Sequence, residues 1–207
     1  MAVQEGVRRP LVVGIGGTGR AGSSTEQALV LGLRGAEEGG AEVRLFGGVF
    51  LGGLPLFQPD QVWRSARAVE LLDAVARADG LIVATPSYHG GVSAMVKNAL
   101  DHMEDLREDS RPYLDRRAVG CVVTSTGCQA GGTTLSALRS IVHALRGWPT
   151  PLGATVNTGD PPFAGGGQAP QDAVDRCAAR LHTVGHQVVE FARLFGAALP
   201  TEVGVPR

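Results

Sequence analysis

Five short apolar runs alternate along the chain with stretches whose apolar residues recur at helical spacing. Residues 11–14, after Pro10, form the first run and read as a strand. Residues 24–37 carry Leu29, Leu31 and Leu33 among polar positions and read as a helix, stopped by Gly39 and Gly40. Residues 42–46 alternate as a half-exposed strand does. Val62, Ala66, Val69, Leu72, Val75 and Ala76 predict a helix over 61–78 with Asp60 as its N-cap. Residues 81–85 predict a buried strand, followed by a turn at 86–92 and a helix over 93–103. Residues 118–124 predict a fourth strand, and 133–146 a helix ended by Gly147 and Pro149. A fifth strand is expected at 154–157. A Gly- and Pro-rich stretch at 160–170 reads as a mobile loop, and 171–198 as a long closing helix. The residues after about 199 read as a loose tail.

Strand and helix alternating five times imply an α/β fold, with a parallel sheet covered on both faces and joined by right-handed crossovers. No interior linker splits the 207 residues, so a single domain over 1–207 is expected. In such sheets ligands bind beyond the carboxyl ends of the strands. The loops after strands one, three and four are therefore the places to look, and they are the three stretches rich in glycine and hydroxyls.

The first loop, residues 14–25, joins a strand to a helix start, where free backbone N–H groups and the helix dipole favour an anion. Thr18, Ser23, Ser24 and Thr25 add neutral donors and Arg20 adds a cation. That set suits a terminal phosphate of about −1.5 to −2 charge. The plainer alternative is that the hydroxyls only cap the helix. Gly14-x-Gly16-x-x-Gly19 spells the dinucleotide fingerprint. That fingerprint expects a carboxylate about 20 residues further on, however, and the second strand ends Leu45-Phe46-Gly47-Gly48. No Gly-Lys-Ser/Thr is present, so the Walker pattern fails as well.

The second loop is Pro86-Ser87-Tyr88-His89-Gly90-Gly91-Val92. Its glycines let backbone pass close to a planar ligand, its N–H groups could serve the polar edge of a ring, and Tyr88 offers a stacking face. The third loop runs Thr124-Ser125-Thr126-Gly127-Cys128-Gln129-Ala130-Gly131-Gly132, whose small residues leave room beside a flat molecule. Cys128 reads as a small filler rather than a reactive thiol.

Net charge is −1, which gives no global field toward nucleic acid or an anionic membrane. No apolar run approaches the roughly 20 residues of a membrane span. Three cysteines without a CxxC pair argue against a disulfide framework or zinc site and fit a reducing cytoplasm. The N-terminal residues contain no apolar signal segment. His182 and His186 stand at i,i+4 without a third ligand in view, so packing or surface roles are expected for them, as for His102 and His143, and no metal is expected.

With its three loops in place, the sequence resembles the NAD(P)H-dependent FMN reductase family. Pro86-x-Tyr88-x-Gly90-x-Val92 followed by Lys97-Asn98-x-x-Asp101 looks like that family's P-x-Y-N-x-S-x-P-x-x-L-K-N-x-x-D signature. Arg20-x-x-Ser23 resembles its phosphate loop, and Gly131-Gly132 the glycines after its fourth strand. His89 stands where the family often has Asn, Gly91 where it has Ser, and Ser93 where it has Pro; Ser93 can instead act as an N-cap. The resemblance implies a flavodoxin-like three-layer sandwich, with a five-stranded parallel sheet of order 2-1-3-4-5. It implies FMN as cofactor and hydride transfer from NADPH or NADH to flavin N5, with no catalytic side chain required. The electrons would pass on to a small acceptor: free flavin for a partner flavin-dependent monooxygenase, a quinone or an azo compound. A homodimer or tetramer is also implied, and Lys97 and Asp101 are expected to be structural. The alternative is a non-enzymatic flavin-binding electron carrier or redox sensor. For a nicotinamide 2′-phosphate, Arg20, Arg111, Arg116 and Arg117 are available.

Overall fold

The computed structural model describes residues 8–160, 163 and 170–197. Its strands are β1 (Leu11–Gly16), β2 (Glu42–Phe46), β3 (Gly80–Tyr88), β4 (Gly91–Val92), β5 (Ala118–Ser125), β6 (Trp148–Pro149) and β7 (Ala154–Asn157). Its α-helices are α1 (Ser24–Glu38), α2 (Gly48–Gly52), α3 (Ala66–Arg77), α4 (Ala94–Asp101), α5 (Cys128–Ala144) and α6 (Gln171–Ala197). A 3₁₀ turn over His102–Leu106 continues α4.

The parallel sheet runs β2-β1-β3-β5, and β5 then pairs in parallel with both β6 and β7, two short pieces of one edge. Counting that edge as the fifth strand gives the expected order 2-1-3-4-5. Period-two alternation divides the strand residues between two cores. Val13, Ile15, Leu81, Val83, Val119 and Cys121 face α3, α4 and α5, while Val12, Ile82, Ala84 and Val122 face α1 and α6. These are the outer layers of a three-layer flavodoxin-like sandwich.

Several elements differ from expectation, each for a local reason. The helix expected over 61–78 is α3, and it starts at Ala66. Ser65 rather than Asp60 caps it, accepting the Ala68 N–H at 3.2 Å, and Val62 and Trp63 before it lie exposed. The helix expected over 133–146 is α5, which starts at Cys128. The pair Gly131-Gly132 therefore lies inside a helix rather than in a loop. An added Cβ at Gly131 would lie 2.8 Å from the Ser125 Oγ, which explains why the helix tolerates a poor helix former there. Helix α4 ends at Asp101 and tightens into the 3₁₀ turn instead of running to Met103. The expected turn at 86–92 is an antiparallel hairpin, since β3 continues to Tyr88 and pairs with β4. Most of the loop expected at 160–170, and the tail, lie outside the described residues.

Ser93 does cap α4, accepting the Val96 N–H at 3.3 Å. Arg117 is fully buried at the amino end of β5, donating to the carbonyls of Ala76, Ala78 and Tyr113. Burial, then the neighbouring charge of Arg111, brings its guanidinium down to about 10. Arg111 also donates to Ala76 and Ala78. Arg111, Arg116 and Arg117 thus precede β5, at the end of the sheet opposite the ligand-binding ends. His182 and His186 on α6 both approach the Glu38 carboxylate of α1, at 3.1 and 3.5 Å, and so join two packed helices. Among the described residues no cluster of three metal-ligating side chains occurs.

Candidate functional site

At the carboxyl ends of β1, β3, β5 and β7 the chain leaves a cleft of about 470 Å³. This lies within the range usual for cofactor sites. Thr18, Gly19, Arg20, Ser23, Ser24 and Thr25 line one side, and Pro86, Ser87 and Tyr88 the second. Thr124, Ser125, Thr126 and Thr158 close the third. The structure therefore brings the three predicted loops around one opening.

The first side is built by the start of α1. Ser23 caps the helix, its Oγ accepting the Glu26 N–H at 3.3 Å and its carbonyl the Gln27 N–H at 2.9 Å. The next N–H groups, of Ser24 and Thr25, precede any intrahelical acceptor and are the orphan donors of a helix start. Thr18 Oγ1 accepts the Arg20 N–H at 3.2 Å, which folds the loop tip and sets Arg20 at the rim. Thr25 Oγ1 lies 2.6 Å from Thr124 Oγ1 at the floor, a contact between residues 99 positions apart. Helix capping thus falls to Ser23, and Thr18, Ser24 and Thr25 do not share it.

A dinucleotide ribose has no place after β2. Gly48 packs so closely on this loop that an added Cβ would lie 1.8 Å from the Thr18 carbonyl oxygen. The Glu26 carboxylate, three residues into α1, accepts the Gly48 N–H at 3.0 Å and does not line the cleft.

The second side is the hairpin. Tyr88 pairs with Gly91 and Ser87 with Val92 across a two-residue turn in which His89 and Gly90 have φ of 54° and 77°. Positive φ at both central positions is the type I′ geometry, which Asn-Gly fits best and which His tolerates better than most residues. That explains His89 where the family often has Asn. The Tyr88 side chain is 57% exposed, leaving its ring face open. His89, Gly90, Gly91 and Val92 form the turn and return strand but do not line the cleft. An added Cβ at Gly90 meets nothing within 4 Å, so the space above the turn is open.

On the third side Ser125 Oγ donates to the Gly127 carbonyl at 2.9 Å. Ser87 Oγ lies 2.7 Å from Thr134 Oγ1 and within 3.2 Å of the Ala130 carbonyl, tying the hairpin to α5. Gly127, Cys128, Gly131 and Gly132 lie at the start of α5 and do not line the cleft; Gly131 is buried beneath Ser125. Gly19 and Thr124, which lie within the first and third loops, also line it, and so does Thr158, which lies outside the three loops. Thr158 follows the fifth parallel strand and bonds Ser125 through both its N–H and its Oγ1. Applying the strand-end rule to that strand as well would have found it.

In the signature helix, Lys97 and Asp101 form a half-exposed i,i+4 ion pair at 2.5 Å and do not line the cleft. Asn98 is the more consequential residue. Its Oδ1 accepts the Phe57 N–H at 2.8 Å and its Nδ2 donates to the Pro55 carbonyl at 3.0 Å.

Nine Ser or Thr side chains, the Tyr88 phenol and one guanidinium face the cleft, and among the described residues no Asp or Glu lines it. This donor set fits a phosphomonoester with a polyhydroxyl chain and an uncharged ring. Comparison with known proteins agrees. The family model described as NADPH-dependent FMN reductase matches residues 10–160. An FMN-dependent NADPH-azoreductase of Staphylococcus aureus (strain USA300) is 37% identical over 95 residues, covering 46% of this chain and 46% of that protein. The chain thus spans about half the length of the curated relatives it matches. Among the solved structures that share the fold are two oxidoreductases. One is an oxidoreductase from Corynebacterium diphtheriae, with TM-score 0.68 and 16% identity, covering 90% of this chain and 98% of that one. The other is the flavoenzyme NAD(P)H:(acceptor) oxidoreductase FerB from Paracoccus denitrificans, with TM-score 0.62 and 20% identity, covering 89% and 98%. The fold, the three-sided cleft and the family match together establish that this chain belongs to the NADPH-dependent FMN reductase family.

Proposed function

We propose that this chain is an NADPH-dependent FMN oxidoreductase that reduces a small, flat, conjugated acceptor such as a free flavin, a quinone or an azo compound. The observation that carries the reading is the cleft itself, with hydroxyls and one arginine but no carboxylate among its lining residues. When bound, FMN supplies the hydride chemistry, and the protein supplies position and field. The Ser24 and Thr25 N–H groups, their hydroxyls and Arg20 hold the phosphate. Ser125, Thr126 and Thr158 stand where polyhydroxyl contacts are needed. Pro86, Ser87 and Tyr88 of the hairpin and Thr126 before α5 would flank the ring, and N–H groups beside them would stabilise negative charge on its polar edge. The open face of Tyr88 stacks against the nicotinamide or the acceptor, which take turns at one place. No acid–base pair is required for the hydride step, in keeping with a lining free of carboxylates and histidines among the described residues.

The test is to purify the protein, record its absorbance spectrum with FMN, and follow NADPH oxidation with free flavin, a quinone and an azo dye. Flavin binding with acceptor-dependent NADPH oxidation is expected. Flavin binding without oxidation by any acceptor would leave an electron carrier and overturn the enzymatic reading. A homodimer or tetramer is the assembly expected with this function, and light scattering in solution checks it. The free Cys121, Cys128 and Cys177 accord with a reducing compartment such as the cytoplasm, which fractionation tests.

A further inference from the structure

We infer that Thr124 is a positioning residue for the flavin phosphate, acting through Thr25. The inference rests on the assignment of the start of α1 to phosphate. Thr25 and Thr124 are both buried, at 2% and 3% exposure, and both line the cleft where the start of α1 meets the end of β5. Their Oγ1 atoms are 2.6 Å apart, so one hydroxyl donates to the other. The geometry allows either direction, and the two differ in what the cleft receives. If Thr25 donates to Thr124, its proton is consumed and its oxygen turns lone pairs toward the anion. If Thr124 donates to Thr25, the Thr25 proton is free to point into the cleft. A phosphate dianion only accepts hydrogen bonds, so it selects the second arrangement. Thr124 then satisfies a Thr25 lone pair that would otherwise be buried without a partner, and it turns Thr25 into a donor aligned with the Ser24 and Thr25 N–H groups. A residue at the end of one strand thereby sets the polarity of a hydroxyl on a distant helix.

Thr124→Val keeps the shape of the side chain and removes its donor, whereas Thr124→Ser keeps the donor and removes a methyl. FMN and riboflavin differ by the phosphate, so the ratio of their dissociation constants isolates the effect. Both are read by flavin fluorescence quenching, with thermal unfolding of each variant followed in parallel. The wild type should prefer FMN strongly. Thr124→Val should lose about tenfold in FMN affinity, the scale of one hydrogen bond to a charged group, with riboflavin affinity unchanged within about twofold. Thr124→Ser should restore the preference. Equal losses for both flavins in Thr124→Val, no loss for either, or failure of Thr124→Ser to restore the preference would each overturn the inference. A wild type that binds FMN no better than riboflavin would overturn the phosphate assignment itself, and the role of Thr124 with it.

Discussion

The Glu26 carboxylate accepts the Gly48 N–H at 3.0 Å, across 22 residues of sequence, and so fastens the loop after β2 to the first turn of α1. Ser23-x-x-Glu26 has the lettering of a capping box, in which the glutamate would return to the N–H of its own cap. Here it reaches a different loop, whose glycines pack on Glu26 and Thr18. The bond does two things on this side of the cleft. It braces the loop carrying Thr18 and Arg20, and it satisfies a negative group away from the cleft. Glu26→Ala should therefore lower stability by about 1 kcal/mol and weaken FMN binding several-fold, while Glu26→Gln, which retains an acceptor, should keep most of both. Denaturant unfolding and FMN titration of the two variants check this.

Arg20 is the single cation lining the cleft among the described residues, because Arg111 and Arg117 are engaged by backbone carbonyls at the opposite end of the sheet. Arg20→Ala combined with Ser24→Ala should weaken FMN binding by about 10- to 100-fold, on the scale of charge-assisted hydrogen bonds. Riboflavin binding should change little. Equal losses for the two flavins would refute the assignment of these side chains to phosphate.

The hairpin offers a test of opposite sign. His89 and Gly90 sit at φ of 54° and 77°. Asn is better suited than His to the first position of such a turn, so His89→Asn should stabilise the protein by a few tenths of a kcal/mol and leave FMN binding intact. A β-branched residue at Gly90 meets no steric block within 4 Å but must adopt a backbone it avoids, at a cost of about 1–3 kcal/mol. Gly90→Val should distort the turn and sharply reduce FMN binding, with the global fold retained by circular dichroism. Undiminished FMN binding would mean that the hairpin does not border the ring.

The strands expected at 42–46 and 154–157 coincide with β2 and β7, and in β7 buried Ala154 and Val156 alternate with partly exposed Thr155 and Asn157. The beginning of α3 differs from its apolar pattern. Val62 continues the helical period by coincidence, although it lies exposed in a turn, and a helix begins where a cap satisfies its first N–H groups, here at Ser65. In α5 the pair Gly131-Gly132 reads as loop because propensity is local, whereas at Gly131 the demand for a residue without Cβ comes from Ser125, a neighbour in space; Gly132 has open space around it. The same limit applies to the site. Its hydroxyl-rich loops were legible, since strand-end loops in a parallel sheet must converge. The pairing of Thr25 with Thr124 and the closeness of Gly48 to Thr18 depend on register and loop packing, which no single stretch of sequence encodes.

Asn98 shows how a recognisable motif can have a role its lettering does not state. Its amide holds residues 55 and 57 by two hydrogen bonds, and His102 Nε2 lies 2.9 Å from the Pro55 carbonyl beside it. Asn98→Ala should cost about 1–3 kcal/mol by orphaning the Phe57 N–H and removing one of the two hydrogen bonds to the Pro55 carbonyl, with FMN affinity changed no more than a few-fold. A large loss of FMN affinity without loss of stability would instead place Asn98 at the ligand.

Cys121 provides the pH test. It is 1% exposed in the middle of β5, and burial pushes its thiol up to about 12, from an ordinary value of 9.0. In the unfolded chain the thiol ionises first. Between these values the unfolded state therefore holds fewer protons than the folded one, and stability falls as pH rises. The contribution is intact below pH 9 and is lost toward pH 12, at up to about 1.4 kcal/mol per pH unit from this one group. Wild-type stability should consequently decline by about 1 kcal/mol more than that of Cys121→Ala between pH 8 and pH 10, as measured by urea unfolding. Other groups titrate identically in both proteins, so the difference isolates the thiol. Parallel declines would show that the folded thiol ionises as easily as the unfolded one. Thiol labelling gives an independent reading: exposed Cys128 should react with an aromatic disulfide reagent in the native protein, whereas Cys121 should react only as the protein unfolds.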